Sequence, residues 1–596
     1  RETASHMIDG FRSRAYDARA GHFTVGYLDF GVPLQAPLET LWAARHRLQR
    51  IDPTAAKSTV KKPIVFYVDS GAPEPVRSAL VEGASWWAEA FEAAGFENAY
   101  RVEVLPPGID PLDARYNVIQ WVHRSTRGWS FGGGVMDPRT GEMLNGHVSL
   151  GSQRVRHDRL LFEGLVGAAK TGPGGPDDPI QVALARIRQL AAHEVGHALG
   201  LSHNFAASTY GRASVMDYPA PLVKIRADGS LDLSDAYAKG IGAWDKVAIR
   251  YLYSEFPPGT DEAAALQGLL DEALAKGQIY LSDQDARPAG AAQPLAGLWD
   301  NGSDPVATFA DVAKVRQIAL ANFGTGNLAA GKPTAFLEEV LAPLYFHHRY
   351  QLEAAAKSIA GLDYRYSIVG DGQPLTKPVA ASQQRKAIQV VLSTLDSTFL
   401  DLPESVLALL PPHPPEYRDS DDRFQAQATA PAFDALGAAT AAADFAIAAV
   451  LEPNRAARMV DFHRRDASLP DLNEVLDALV SRGYARPPAP RRAEIARTVE
   501  SVIVRRLIAL AADREATSAV RARVEATLER IAKLPIDGSD SAEEVAHRRH
   551  LSREIDRFLR QRTAPTGDPF EIPDLPPGQP IGGAEGIGFA ECSWGG

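Results

Sequence analysis

"HEVGHALGLSH", residues 193–203, puts His193, Glu194, His197, Gly200 and His203 in one short run. On a helix, residues four apart share a face, so His193 and His197 can point at one ion. Glu194 lies about 100° round from His193, within reach of a water held by that ion. Leu184, Ile187, Ala191, Val195 and Ala198 fall on the other side, which predicts one buried apolar face and one free histidine face. Gly200 is expected to end the helix in a left-handed turn, after which His203 supplies a third imidazole. Three neutral imidazoles and a water make an open tetrahedral zinc site, the catalytic rather than the structural arrangement, with one ion. A chance H-E-x-x-H is expected in roughly one chain in fifty of this composition. With the glycine and third histidine added, the expectation falls to on the order of one in twenty thousand. Surface histidines that meet by coincidence are the weaker reading.

Before this helix, "KKPIVFYVDSG" (61–71) reads as a short buried strand and "PEPVRSALVEGASWWAEAFEAAGF" (73–96) as a helix that Gly95 ends. "RVEVL" (101–105) and "YNVIQWV" (116–122) read as strands, and "GGVMDPRTGEMLNGHVSLGS" (133–152) as a hairpin. "TGPGGPDDP" (171–179) is a loop, and the helix runs from about Pro179 to Leu201. This order predicts a mixed sheet with two main helices. From about residue 255 alanine-rich amphipathic segments take over, at 261–276, 304–323, 334–359, 378–396, 431–451 and 489–534, separated by Pro-rich breaks. The expected division is a vector remnant at 1–7 and an N-terminal segment at 8–60 packing on a zinc-site domain at 61–255. An α-helical region at 256–563 and a Pro/Gly-rich tail at 564–596 follow.

At 596 residues the chain is too long for one core. A net charge of −11 and the lack of a long basic run argue against nucleic-acid binding. No uninterrupted apolar stretch approaches a membrane span, so no transmembrane segment is expected. One cysteine, Cys592, excludes internal disulfides; it reads as a free thiol, with a latch on the metal as the lesser alternative. His347 and His348 are adjacent, so they point about 100° apart and make poor joint ligands. "FGGGV" (131–135) lacks the strand and helix of a phosphate loop, and Trp86 and Trp87 read as core.

Shortly after His203 comes "SVMDY", residues 214–218. H-E-x-x-H-x-x-G-x-x-H followed by a methionine turn resembles the metzincin clan of zinc proteases. The resemblance implies an α+β catalytic domain, a mixed sheet with an active-site helix, here followed by a mainly helical region. It implies that Met216 forms an apolar floor beneath the zinc without binding it. Tyr218 would stand beside the metal as a weak fifth ligand that swings away to bond the oxyanion; a packed core tyrosine is the alternative. "NGHVSL" (145–150) stands where the edge strand of that clan belongs. Gly146, His147, Val148 and Ser149 are therefore expected to bind an extended peptide by strand addition, although His147 by itself reads as an exposed strand histidine. More closely, "DPRTGE", "AAHEVGHALGLSHNF", "SVMDY" and "IGAWDKVAIRYLY" (241–253) resemble a family of large bacterial exported zinc-dependent metalloproteases. By that likeness the chain keeps a helical C-terminal part and lacks an additional N-terminal domain. It is expected to be exported (periplasmic, outer-membrane associated or secreted) with its signal removed.

The expected activity is that of a zinc endopeptidase on peptide or protein substrates, a zinc-activated water attacking the peptide bond with Glu194 as general base and then acid. One alternative is an oligopeptidase whose helical half covers the cleft. The other is a noncatalytic zinc-containing binding protein, disfavoured because a structural site has no use for Glu194. Partners for the histidines within the chain are not identified by spacing; Asp217 and Asn204 are near, and Asn204 equally suits a cap on the turn after the helix.

Overall fold

The computed structural model describes residues 11–561 apart from 125–129, 418–422, 425–427, 488 and 539. The expected vector remnant at 1–7, Cys592 and the Pro/Gly-rich tail lie outside the described residues. The main sheet consists of β1 (Arg45–His46), β2 (Ile64–Val68), β3 (Tyr100–Val104), β4 (Asn117–Val122), β5 (Phe131–Met136) and β6 (Glu142–Gly151). Its order is β1-β6-β4-β2-β3, all these contacts parallel, and β5 pairs antiparallel with β6. In β2, "IVFYV" alternates buried and half-buried positions, as a strand packed harder on one face does.

The sheet corrects one expectation. Residues 147–149 of β6 are paired with β4 on one side and β5 on the other. Gly146 pairs with β5 and donates its N–H to the Asn117 side chain at 2.8 Å, so Gly146, His147, Val148 and Ser149 have no free backbone edge, and they do not accept a substrate strand. Both sides of the predicted hairpin form, but its first strand is the outer one: among the described residues β5 pairs only with β6.

Helices α1 (Val76–Ser85), α2 (Arg154–Val166) and α3 (Pro179–Ala198) cover the sheet. The single helix expected over 73–96 breaks at Trp86, and Trp87–Ala93 continues as a second piece. A Cβ on Gly83 would lie 2.0 Å from the Arg188 carbonyl oxygen, so α1 and α3 touch backbone to backbone there. Helix α2 was not legible as one, since it opens on the charged run "RVRHDR" and its apolar residues cluster in the second half.

Beyond residue 255 most of the alanine-rich segments are helices, among them Glu262–Ala275, Pro305–Ala321, Ala381–Ser393 and Ala435–Val450. The segment 334–359 divides into Leu337–Tyr345 and Arg349–Ala356, with His347 and His348 in the break between them. His348 is held between the ring edges of Phe309 and Phe399, as a core residue. The helical stretch 435–465 is long and apolar enough by composition to cross a membrane, but Ala439, Ala443, Ala446, Ile447 and Val450 are buried in the helical core.

The apolar cores ignore the boundary expected at 255/256. One joins Phe66, Ile119, Val148, Ile187 and Val195 to Leu281, Ala286 and Trp299. The other joins Phe162, Leu165, Val182 and Tyr237 to the helices as far as Phe558. The sheet part and the helical part therefore share both cores.

Candidate metal centre

Helix α3 starts where Asp178 caps it, accepting from the backbone of Ile180 at 2.9 Å, with Pro179 in the first turn. It ends at Gly200, whose φ is +101° and where a Cβ would meet the Ala44 carbonyl oxygen at 2.0 Å. Only glycine suits that conformation and that contact. Phe23 then donates its backbone N–H to the Gly200 carbonyl at 2.7 Å, and its ring stacks on His197.

The expected apolar residues of α3 are all buried, but the histidine side is not free. His193 is 1% exposed, Glu194 2% and His197 6%. Strand β5 lies on that turn of the helix so closely that a Cβ on Gly132 would sit 2.0 Å from the Glu194 carbonyl oxygen.

The three imidazoles are locked by what their Nδ1 atoms meet. His193 Nδ1 faces the Val215 carbonyl at 2.7 Å, His197 Nδ1 the Leu201 carbonyl at 2.8 Å, and His203 Nδ1 the Asp283 carboxylate at 2.8 Å. Each partner can only accept, so each Nδ1 carries the proton and each neutral Nε2 presents a lone pair. These lone pairs converge: His197 Nε2 is 3.1 Å from His193 Nε2 and 3.2 Å from His203 Nε2. Nothing in that set can donate, so the cluster calls for a cation at its centre. Nitrogens about 2.0–2.1 Å from a tetrahedral zinc stand about 3.3 Å apart, and the observed spacing fits. Burial, then the charges of neighbouring histidines, hold His193 well below its ordinary range and His197 down to about 3, so both are neutral and ready as ligands at pH 7.

Around this cluster the methionine turn is fixed by α4 (Ala243–Tyr253). Asp245 accepts from the Ser214 hydroxyl at 2.6 Å and from the Val215 N–H at 2.9 Å, which aims the Val215 carbonyl at His193. Met216 packs against the turn between the two helix histidines: a Cβ on Gly196 would lie 2.2 Å from its Sδ. The Tyr218 ring lies 5.3 Å from that of His193 and 4.8 Å from that of His203. It is both buried and beside the site, so the two readings of Tyr218 are not exclusive.

A family description now joins the geometry: a sequence model of the Met-zincin family matches residues 175–486, more than half the chain. The chain belongs to the Met-zincin family. Membership in it suggests a zinc metallopeptidase, and the His193, His197 and His203 cluster fits its HExxH-type motif. The match takes in both the active-site helix and most of the helical region, as the shared cores do. No curated protein and no solved structure matches this Met-zincin.

Two residues of the centre escaped the sequence. Asp217 does not reach a histidine but accepts from the backbone of Ser208 and Tyr218. Asn204 bonds the Ile279 carbonyl and the Tyr210 hydroxyl. The carboxylate on His203 is Asp283, eighty residues downstream, and Arg287 beside it donates to the Tyr218 hydroxyl at 2.9 Å. No local spacing links these to the motif. A capping box opening at Ser282 is their only local mark.

Proposed function

We propose that this Met-zincin is a zinc-dependent endopeptidase that hydrolyses peptide bonds in peptides or unfolded protein segments. The observation that carries the reading is the convergence of three Nε2 lone pairs, each with its Nδ1 proton tied to an acceptor. A zinc ion held by His193, His197 and His203 supplies Lewis acidity, which brings the pKa of a water toward about 7 and polarises a carbonyl. Glu194 takes the proton of the attacking water and later delivers it to the leaving amine. Burial pushes the Glu194 carboxyl up to about 8, against the pull of Arg154 and Arg186, and a cation held by the three imidazoles would draw it back toward the ionised form that a base needs. The Glu194 charge also reaches the Tyr218 hydroxyl, the group that donates to the developing oxyanion. The edge of β5 that is unpaired among the described residues, beside Glu194, is the backbone that an extended substrate would join.

Burial of the site favours a second reading of access. With Glu194 and both helix histidines almost wholly covered, short flexible peptides enter more readily than folded chains, as an oligopeptidase requires. The likeness of "AAHEVGHALGLSHNF" and "IGAWDKVAIRYLY" to exported bacterial enzymes supports a place outside the cytoplasm.

The test is cleavage of a quenched peptide library and of a denatured protein by the zinc-loaded full chain. Loss of cleavage with chelator and return with zinc are expected. Cleavage of short peptides alone would favour the covered cleft; zinc bound with no cleavage of anything would leave the noncatalytic alternative.

A further inference from the structure

Asp283 and Arg287 come from α5 (Asp283–Ala286) and the residue that follows it, in the part of the chain that the motif does not touch. One carboxylate oxygen of Asp283 accepts from His203 Nδ1 at 2.8 Å, and the other accepts from Arg287 Nε. The other end of the same guanidinium, Nη2, donates to the Tyr218 hydroxyl at 2.9 Å, and the cation stands 5.3 Å from the Tyr218 ring centre. Because Arg287 fills an acceptor position of that hydroxyl, the phenol keeps its own proton for another partner.

The turn that presents these two residues is braced from several sides. Lys357, itself buried, donates to the carbonyls of Ala286 and Ala296 at 2.7 and 2.6 Å. Phe205 donates its N–H to the Leu281 carbonyl at 2.8 Å. Asp285 receives the hydroxyls of Tyr364 and Tyr366. Trp299 stacks its ring on Tyr218 at 5.1 Å and donates its backbone N–H to the Tyr218 carbonyl. Trp299 holds a φ of +51°, a conformation that costs a bulky residue energy and persists only where its surroundings impose it.

We propose that Asp283 and Arg287 are positioning residues of the metal centre. Asp283 orients the third ligand, His203, and Arg287 fixes the Tyr218 hydroxyl and couples it to that ligand through the shared carboxylate. The helical half thus carries part of the active site rather than only a cover. This rests on the zinc peptidase reading for its kinetic consequences, while its consequence for metal binding does not.

The test uses the full chain as wild type, Asp283→Asn, Arg287→Gln, Arg287→Lys, Tyr218→Phe and the double variant Arg287→Gln/Tyr218→Phe. Zinc affinity is read by chelator competition and peptide hydrolysis is read as kcat and KM. Asp283→Asn is expected to weaken zinc by roughly 10–100-fold, as loss of a histidine's carboxylate partner does. Arg287→Gln is expected to keep zinc, to lose roughly 10–100-fold in kcat and to leave KM within about threefold, less than the roughly 100–1000-fold of an oxyanion donor removed outright, because the Tyr218 hydroxyl stays but is no longer fixed. In the Tyr218→Phe background the same substitution is expected to cost less than about threefold, since contacting residues are non-additive. Arg287→Lys, lacking the fork that reaches both partners, should fall between. Wild-type zinc affinity in Asp283→Asn, or equal losses from Arg287→Gln with and without Tyr218, would overturn the proposal. If the zinc-loaded wild type cleaves nothing, the peptidase reading fails. The affinity arm still decides: tenfold weakening in Asp283→Asn supports the positioning role, and unchanged affinity overturns it.

Discussion

Asp300 illustrates how a single buried group near the site sets a pH dependence for the whole fold. Burial pushes its carboxyl up to about 6, against the Lys357 cation, the Ser208 hydroxyl and its own backbone N–H, which act to keep it charged. In the unfolded chain the same group titrates near about 3.9. The folded state therefore holds the proton to higher pH than the unfolded state does. Stability from this group is fully present below about pH 4, falls as pH rises toward 6, and is flat above, a loss of at most about 3 kcal/mol. Asp300→Asn cannot ionise and removes that loss. It should be more stable than wild type at pH 7 and equal to it at pH 4, as chemical denaturation at the two pH values will measure. A variant less stable at pH 7 than at pH 4, relative to wild type, would mean that the charged carboxylate is held favourably.

Elements with a strong local signature were legible in the sequence. Helix α3 carries a cap, a buried stripe, two histidines four apart and a terminal glycine, and these local rules agree with one another. Strands β3 and β4 lie within a residue of their expected places, and β2 sits three residues inside each end of the stretch expected for it. What could not be read was pairing across the chain. The alternation in "NGHVSL" marks a strand but does not say which side of it is free, so the edge was assigned to β6 instead of β5. The charged helix α2 hid its small apolar face, and α5 is too short to carry any periodicity. Yet α5 holds the carboxylate that bonds His203, and it is held mostly from outside. Lys357→Met would leave the Ala286 and Ala296 carbonyls without their buried donor, at an expected cost of about 2–4 kcal/mol. It should also weaken zinc binding as the Asp283 turn loosens. Denaturant midpoints and chelator competition check both; a loss of stability with zinc affinity unchanged would separate α5 from the centre.

At the scale of the molecule, the motif and the helical half form one packed unit. Both apolar cores run across residue 255, the family match spans residues 175–486, and Asp283, Arg287 and Trp299 reach back to His203 and Tyr218. A chain ending after Tyr253 is therefore expected to be insoluble or to bind zinc at least tenfold more weakly, as metal analysis after gel filtration would read; tight zinc binding in that fragment would contradict this dependence. The measurement that bears most directly on the peptidase reading is hydrolysis of a quenched peptide library by zinc-loaded full chain, wild type beside Glu194→Gln, with bound zinc quantified in both. Wild type is expected to cleave and to stop with chelator. Glu194→Gln should hold an equal amount of zinc and lose about a thousandfold or more in kcat, because the substitution removes the base and leaves the three imidazoles intact. Equal cleavage by the two proteins, or none by zinc-loaded wild type, would contradict it.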